Sequence, residues 1–209
     1  MRDFAATMAV TEPEGPLALS TVQTISPTGR QVRVSVKASG VCGADLGTAA
    51  AKAPGTVFPV TPGHEVAGVI AELSEQVQGW QVGDRVAVGW FGGSCGHCAF
   101  CRAGDVAHCP EREVPGLSYP GGWAQSMTAP ADALIHIPDE LDFFEAAPFG
   151  CAGVTTFNAV RKAATPTGGR VAVFGIGGLG HLAVQFAARL GYETIAINRG
   201  GTQQLFVNL

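Results

Sequence analysis

The sequence has few charged residues and no long hydrophobic run. Lys, Arg, Asp and Glu together make up 14% of its 209 residues, and the formal net charge is −4. Because no basic stripe is present to attract phosphates, the sequence predicts no nucleic-acid partner. Gly, Pro or a charge breaks every apolar run before it reaches membrane-spanning length, so no membrane association is predicted either. A hydrophobic content of 46% predicts a globular chain rather than a disordered one.

The N-terminus lacks the features of a secretory signal. It carries charges early and has no apolar stretch that ends at a small-residue cleavage site. We therefore expect a cytoplasmic protein, in which thiols stay reduced and serve as metal ligands or nucleophiles. This expectation matters because the chain has six cysteines, four of them within fifteen residues.

The residue pattern predicts a β-rich part followed by an α/β part. Short Val-rich runs, punctuated by Gly, Pro or Asp, predict strands at 31–36, 65–71 and 85–88. The 29 glycines suit a small barrel with bulges and tight corners. Beyond Asp142 the pattern becomes helical, and a strand–helix–strand unit follows, which is how a parallel α/β domain opens. Its predicted elements are a strand at 170–174, a helix at about 181–190 and a strand at 194–197.

Four closely spaced cysteines predict a metal site. They are Cys95, Cys98, Cys101 and Cys109. Zinc accepts four thiolates in a tetrahedron and then has no open position, so such a site would be structural. Disulfides are disfavoured by a reducing compartment, and an iron–sulfur cluster more usually has a Pro-flanked C-x2-C-x2-C-x3-C run. The surrounding segment, 94–110, is predicted to be irregular because it is rich in Gly and Cys.

A glycine-rich turn predicts dinucleotide binding. Its residues are Gly175, Gly177, Gly178, Leu179 and Gly180. The turn directly follows a predicted strand and opens a predicted helix, which is the context that supports this motif. There the glycines permit close approach of a pyrophosphate to the helix N-terminus.

The end of the second predicted strand favours NADP over NAD. Proteins that bind NAD usually carry Asp or Glu there for the adenosine ribose. This sequence has Asn198 and Arg199 instead, so no carboxylate repels a 2′-phosphate and an Arg is available to pair with one. NAD remains the alternative, in which Arg199 is a solvated loop charge.

Several motifs in one order resemble the zinc-containing, medium-chain alcohol dehydrogenases. They include GVCGADL around Cys42, PGHEVAGVI around His64, the four-cysteine segment, PFGCAGVTTFNAV around Cys151, and VAVFGIGGLGHLAVQFA. The resemblance covers essentially the whole chain. It implies a β-rich, GroES-like catalytic domain with a partly open barrel at 1–154. The first βαβ unit of an incomplete Rossmann domain would follow at 155–209.

The resemblance also implies a catalytic zinc site, which would bring the total to two zinc ions per chain. Cys42, His64 and Cys151 would hold this zinc, and Glu65 would lie at or just behind it. Asp45 would orient His64 through the other ring nitrogen, as metal-bound histidines generally require. Three protein ligands leave an open position, which is the catalytic arrangement.

The implied reaction is reversible hydride transfer between a primary or secondary alcohol, or its aldehyde or ketone, and NAD(P). Thr155 falls where the family contacts the nicotinamide ring, and Trp90, Phe91 and Phe149 are candidate apolar lining. The full-length family is expected to form homo-oligomers. Because the chain stops after the second Rossmann strand, a truncated product is also expected.

Two positions depart from the family pattern and keep other functions open. Ala44 stands where many relatives have a Ser or Thr that passes on the substrate proton, and Gly47 supplies no histidine further along that path. The alternative is a non-catalytic, zinc-binding module of the same family. A thiol redox protein that uses the cysteine segment is the third hypothesis.

Overall fold

The computed structural model describes residues 4–10, 12–23, 26–50, 52 and 56–199. The described residues fall into two compact units that divide between Gly150 and Cys151. Residues 200–209, the last part of the predicted second domain, lie outside the described residues. In the described part, no helix is both long and apolar enough to cross a membrane.

The first unit is built mainly from antiparallel strands. A hairpin joins β1 to β2, and a five-stranded sheet has the order β6-β3-β4-β5-β7. Short helices and turns connect them. The elements are β1 Phe4–Val10, β2 Leu17–Gln23, β3 Gln31–Ser39, α1 Gly43–Ala49, β4 Val66–Leu73, β5 Arg85–Val88, α2 Ala99–Arg102, β6 Ser126–Pro130, β7 Leu134–His136 and α3 Phe143–Ala146.

Alternation of side chains along the central strands produces the core. Val32 and Val34 on β3 are fully buried, and so is Ile70 on β4. Residues two apart on a strand share a face, which is why this spacing lines one side of the sheet with apolar groups. Register shifts at Arg33/Val34 and Val36/Ala38 mark irregularities that the glycine-rich sequence led us to expect.

The sequence located the central strands and missed four others. The strands predicted at 31–36 and 65–71 extend to Ser39 and Leu73, and the one at 85–88 has the predicted bounds. The strands β1, β2, β6 and β7 were not predicted individually. The prediction that 94–110 holds no helix was wrong, because a one-turn helix, α2, and a 3₁₀ turn at Val106–His108 form there. Cys98 caps α2 by accepting a hydrogen bond from the Cys101 amide at 3.4 Å.

The second unit is a βαβ unit preceded by a helix. Its elements are α4 Ala152–Arg161, β8 Arg170–Phe174, α5 Gly180–Arg189 and β9 Glu193–Ile197. The strands β8 and β9 are parallel neighbours, with Arg170 opposite Glu193 and Phe174 opposite Ile197. The predicted order of architectures, a β-rich part whose barrel stays open followed by the first βαβ unit of an α/β domain, is therefore confirmed.

Helix packing explains where the second unit begins. Phe157 of α4 meets Phe186 of α5 edge to face, with ring centroids 5.4 Å apart. The helix α4 packs on α5, and the compact unit that contains both begins at Cys151. The domain boundary at 155 stays a prediction. The helix α5 ends as predicted, with Gly191 at φ +85° just past its last turn.

Candidate zinc centres and nucleotide-binding turn

His64 lies between a glycine turn and β4, and Asp45 fixes its orientation. Both side chains are 2% exposed, and Nδ1 of His64 lies 2.9 Å from Oδ1 of Asp45. The same carboxylate oxygen accepts a hydrogen bond from the Gly63 amide at 3.1 Å, and the other oxygen accepts one from the Cys42 amide at 2.9 Å. A single buried carboxylate thus joins the start of α1 to the His64 turn.

The hydrogen bonds of His64 leave one ring nitrogen facing a potential ligand. An ionised carboxylate only accepts hydrogen bonds, so Nδ1 of His64 donates to Asp45 and Nε2 carries the lone pair. Nε2 is buried and has no hydrogen-bond partner among the described residues. Leaving such an atom unsatisfied costs about 1–3 kcal/mol, and a bound metal ion removes that cost. The residues therefore fit a metal at this position.

Two further donor atoms lie beside His64. Sγ of Cys42, a ring nitrogen of His64 and a carboxylate oxygen of Glu65 lie within 4.8 Å of one another. The ring of Trp90 meets the His64 ring edge to face, with centroids 4.8 Å apart. A thiol, an imidazole and a carboxylate beside an aromatic wall form a donor set that suits zinc.

Glycine makes room for Glu65. A Cβ on Gly40 would overlap the Glu65 carboxylate, and the Gly40 amide donates to the Glu65 carbonyl at 2.8 Å. The indole Nε1 of Trp123 donates to the Gly40 carbonyl at 3.1 Å. Gly40 and Trp123 were missed at the sequence level, because their role is a close backbone approach that no spacing rule reveals.

Cys151 follows Gly150, whose backbone packs tightly against Gly89. Gly89 and Gly150 lie so close that a Cβ on Gly89 would overlap the Gly150 backbone, and the Trp90 amide donates to the Gly150 carbonyl at 3.3 Å. Gly150 is thereby fixed at the end of β5. Cys151 is the next residue and begins the second unit, directly before α4.

The four-cysteine segment brings its thiols together around one point. The sulfurs of Cys98 and Cys101 are 3.5 Å apart, those of Cys95 and Cys109 3.6 Å, and those of Cys95 and Cys101 3.9 Å. Four sulfurs about 2.3 Å from a central zinc would lie about 3.8 Å apart, whereas disulfide sulfurs lie about 2.05 Å apart. All six cysteines are in the described part of the chain, and none forms a disulfide. The segment is called the cysteine lobe below.

The thiols of the cysteine lobe differ in pKa. Burial raises the pKa of the Cys101 thiol, but hydrogen bonds with the Ser94 and Cys98 side chains outweigh it and bring the pKa to about 7. A backbone hydrogen bond with Cys95 lowers the pKa of the Cys109 thiol, but burial and the neighbouring thiols raise it to about 11. Binding of a metal ion to the lobe must release these protons.

Backbone bonds hold the lobe to the rest of the first unit. The Gly92 amide donates to the Glu113 carbonyl at 2.9 Å, and the Glu113 amide donates to the Gly93 carbonyl at 2.9 Å. The Tyr119 hydroxyl donates to the Gly92 carbonyl at 2.8 Å, and burial raises its pKa above the usual range. The hydroxyl therefore stays protonated and remains a donor.

The predicted glycine turn joins β8 to α5. Gly175 has φ +83°, and its amide donates to the Ile197 carbonyl at 2.8 Å. A Cβ on Gly180 would overlap the Gly175 carbonyl, whereas one on Gly177 or Gly178 would meet nothing within 4 Å. The turn is therefore open at its tip, where Gly177, Gly178 and Leu179 are exposed. It leaves space for a ligand at the N-terminus of a ten-residue helix.

The residues after β9 lie at the same edge as this turn. Phe174 and Ile197 are opposite each other at the carboxyl ends of parallel strands, so Gly175 and Asn198 follow them on one edge. Asn198 and Arg199 are exposed, and so is Thr155 on α4. The neighbouring Thr156 is buried, and its hydroxyl donates to the Ala152 carbonyl at 2.6 Å.

Comparison with known proteins identifies the family. The alcohol dehydrogenase GroES-like domain matches residues 28–139. This chain belongs to the alcohol dehydrogenase family. An alcohol dehydrogenase of Geobacillus stearothermophilus is 42% identical over 186 residues, which are 88% of this chain and 55% of that protein.

Solved alcohol dehydrogenase structures share the fold. The CAD of Helicobacter pylori, solved in complex with NADP(H), is 26% identical, with a TM-score of 0.89 over 98% of this chain and 62% of that one. A cobalt- and zinc-bound thermostable alcohol dehydrogenase of Pyrobaculum aerophilum is 33% identical, with a TM-score of 0.87 over 94% and 60%. The chain spans about half the length of the curated alcohol dehydrogenases that it matches.

Proposed function

We propose that this protein is a zinc-dependent alcohol dehydrogenase that transfers hydride reversibly between a primary or secondary alcohol and NADP, with NAD as the alternative cofactor. The observation that supports it most is the buried Nε2 of His64, which has no hydrogen-bond partner in the described chain and lies beside the Cys42 and Glu65 donor atoms. The chain belongs to the alcohol dehydrogenase family, and we therefore expect these donor atoms to bind a zinc ion that takes part in alcohol oxidation.

Cys42, His64 and Cys151 would hold the catalytic zinc, and Glu65 would lie at or just behind it. When bound, zinc supplies Lewis acidity toward the alcohol or carbonyl oxygen, and nicotinamide accepts or donates the hydride. Asp45 keeps the proton of His64 on Nδ1, so that Nε2 faces the ligand. Trp90 packs against the His64 ring and excludes water from that side.

Cys95, Cys98, Cys101 and Cys109 would hold the second, structural zinc. Sulfur separations of 3.5–3.9 Å support this assignment, since they match a zinc tetrahedron without further movement. A cytoplasmic location is proposed with it, because the lobe needs reduced thiols to bind the metal.

The nucleotide would bind at the turn from Gly175 to Gly180. Its pyrophosphate would lie at the N-terminus of α5, and Thr155 would contact the nicotinamide ring. Asn198 and Arg199 follow β9 and carry no carboxylate to repel a 2′-phosphate, which supports NADP. Parallel titrations with NADPH and NADH test that preference, and tighter binding of NADH would overturn it.

Ala44 favours a second candidate function, a zinc-binding module without turnover. Its methyl group cannot transfer the substrate proton, and its carbonyl accepts a hydrogen bond from the Thr48 hydroxyl at 3.3 Å.

The zinc content, a nucleotide titration and the turnover of a panel of primary and secondary alcohols together separate the candidate functions. Zinc, nucleotide binding and turnover support the dehydrogenase, whereas zinc without nucleotide binding or turnover supports the module. Reversible disulfides without zinc would contradict both and indicate a redox protein.

A further inference from the structure

The Cys95 thiol belongs to a second group of metal-binding atoms, on the outer side of the cysteine lobe. Sγ of Cys95, a ring nitrogen of His97 and a carboxylate oxygen of Glu111 lie within 4.8 Å of one another. His97 and Glu111 are exposed, and Cys95 is half-buried. A tetrahedron of four thiolates uses neither the imidazole nor this carboxylate, so the group is not explained by the lobe zinc.

A hydrogen bond prepares His97 for metal binding. Its Nδ1 lies 2.9 Å from the Cys95 carbonyl oxygen. A carbonyl only accepts, so Nδ1 carries the proton, and Nε2 of the neutral ring has a lone pair for a metal ion. Metal-bound histidines generally donate their other ring N–H to a carbonyl or carboxylate in this way. The Arg102 guanidinium donates to the His97 carbonyl at 2.6 Å and so holds the backbone of the same turn.

The charge of the lobe also favours a second cation. One Zn²⁺ with four thiolates carries a net charge of about −2, and the Glu111 carboxylate adds another negative charge beside it. A divalent ion at the outer position would offset most of this charge. Thiolate and imidazole are ligands that zinc prefers over magnesium or calcium, which take oxygen ligands.

We propose that Cys95, His97 and Glu111 form an outer zinc-binding position in which the Cys95 thiolate bridges to the lobe zinc and water completes the coordination. This inference rests on the structural zinc proposed above. The position selects zinc or another thiophilic divalent ion such as cadmium. It binds more weakly than the lobe, because it offers one shared thiolate and two exposed ligands instead of four thiolates.

Zinc titration of the full chain tests the proposal. Wild type, His97→Asn and Glu111→Gln are first saturated at their tight sites and then titrated against a chromophoric chelator. His108→Asn is the matched control, because His108 is an exposed imidazole of the same lobe whose Nδ1 pairs with Asp105 at 2.8 Å. We expect wild type and His108→Asn to bind one additional zinc. We expect His97→Asn and Glu111→Gln to weaken that binding about tenfold or more, since even an outer partner of a metal ligand is worth roughly 10–100-fold.

Cadmium NMR provides the second measurement. A bridging thiolate predicts two coupled cadmium resonances from the lobe of wild type, and one in His97→Asn. Equal weak binding in wild type, His97→Asn and Glu111→Gln, or a single lobe resonance in wild type, would overturn the outer position while leaving the structural zinc intact. Cys98→Ser distinguishes the two proposals, because a zinc content unchanged by that variant would contradict the lobe zinc itself.

Discussion

The cysteine lobe and the His64 site differ in how their donor atoms are assembled. All four thiols of the lobe come from one stretch of fifteen residues, and that stretch folds around them with two short turns, α2 and a 3₁₀ turn at Val106–His108. The donors beside His64 come from the residue before α1 and from the turn before β4, and Asp45 links those two segments. The geometry of the cysteine lobe therefore depends on its own loop, whereas the geometry of the His64 site depends on the fold that brings its segments together.

Because of that difference, replacing a cysteine by serine should destabilise the protein far more in the cysteine lobe than in the His64 site. Cys98→Ser removes a thiolate from a closed structural site, and we expect the loss of one zinc and more than about 4 kcal/mol of stability. Cys42→Ser should cost much less stability, because the first unit still has its core, but it should abolish turnover. Thermal unfolding, zinc content and turnover of both variants check the comparison. Equal losses of stability would contradict it.

The Asp45 carboxylate tests whether the dispersed site needs its supporting hydrogen bonds. Asp45→Asn keeps the size of the side chain but offers only one accepting oxygen for the three donors around it. We expect zinc affinity at the His64 site to fall about 10–100-fold, with the lobe zinc unaffected. Asp132→Asn is the matched control, since Asp132 pairs with Arg30 in solvent. Competition with a chelator measures both, and unchanged affinity in Asp45→Asn would show that Asp45 does not position His64.

Gly40 tests the close packing behind Glu65. Gly40→Ala introduces a Cβ that overlaps the Glu65 carboxylate, so we expect a loss of about 1–3 kcal/mol. Gly43→Ala is the control, because a Cβ there meets nothing within 4 Å and Ala suits a helix better than Gly. Chemical denaturation of both variants gives the difference. Wild-type stability in Gly40→Ala would mean that Glu65 moves aside without cost.

The smallest effect is expected at Ala44. Ala44→Ser introduces a hydroxyl where the family resemblance implies transfer of the substrate proton. Under the proposed function we expect alcohol oxidation to accelerate by up to about tenfold, less than the roughly 10²–10⁴-fold of a complete acid–base group. Ala49→Ser, on the last turn of the same helix, is the control. Steady-state kinetics near neutral pH measure both. No gain in Ala44→Ser over Ala49→Ser would refute the proton-transfer argument.

The same contrast explains what could be predicted from the sequence. The contacts among the lobe thiols could be predicted from their spacing in the sequence, because cysteines that are close in sequence can bind one metal ion without help from the rest of the fold. Spacing alone could not bring Cys42 near His64, and only the family resemblance suggested it. Gly40 and Trp123 were missed because their roles are close backbone contacts. The strand β7 was missed because three residues carry too little alternation to be recognised.

Whether His64 holds a zinc ion is decided by the zinc content of the full chain, measured for wild type and His64→Ala after removal of weakly bound metal. We expect His64→Ala to lose one tightly bound zinc, to keep the lobe zinc and to unfold close to the wild-type temperature. Equal zinc content in wild type and His64→Ala would contradict it, because the buried Nε2 of His64 would then hold no metal.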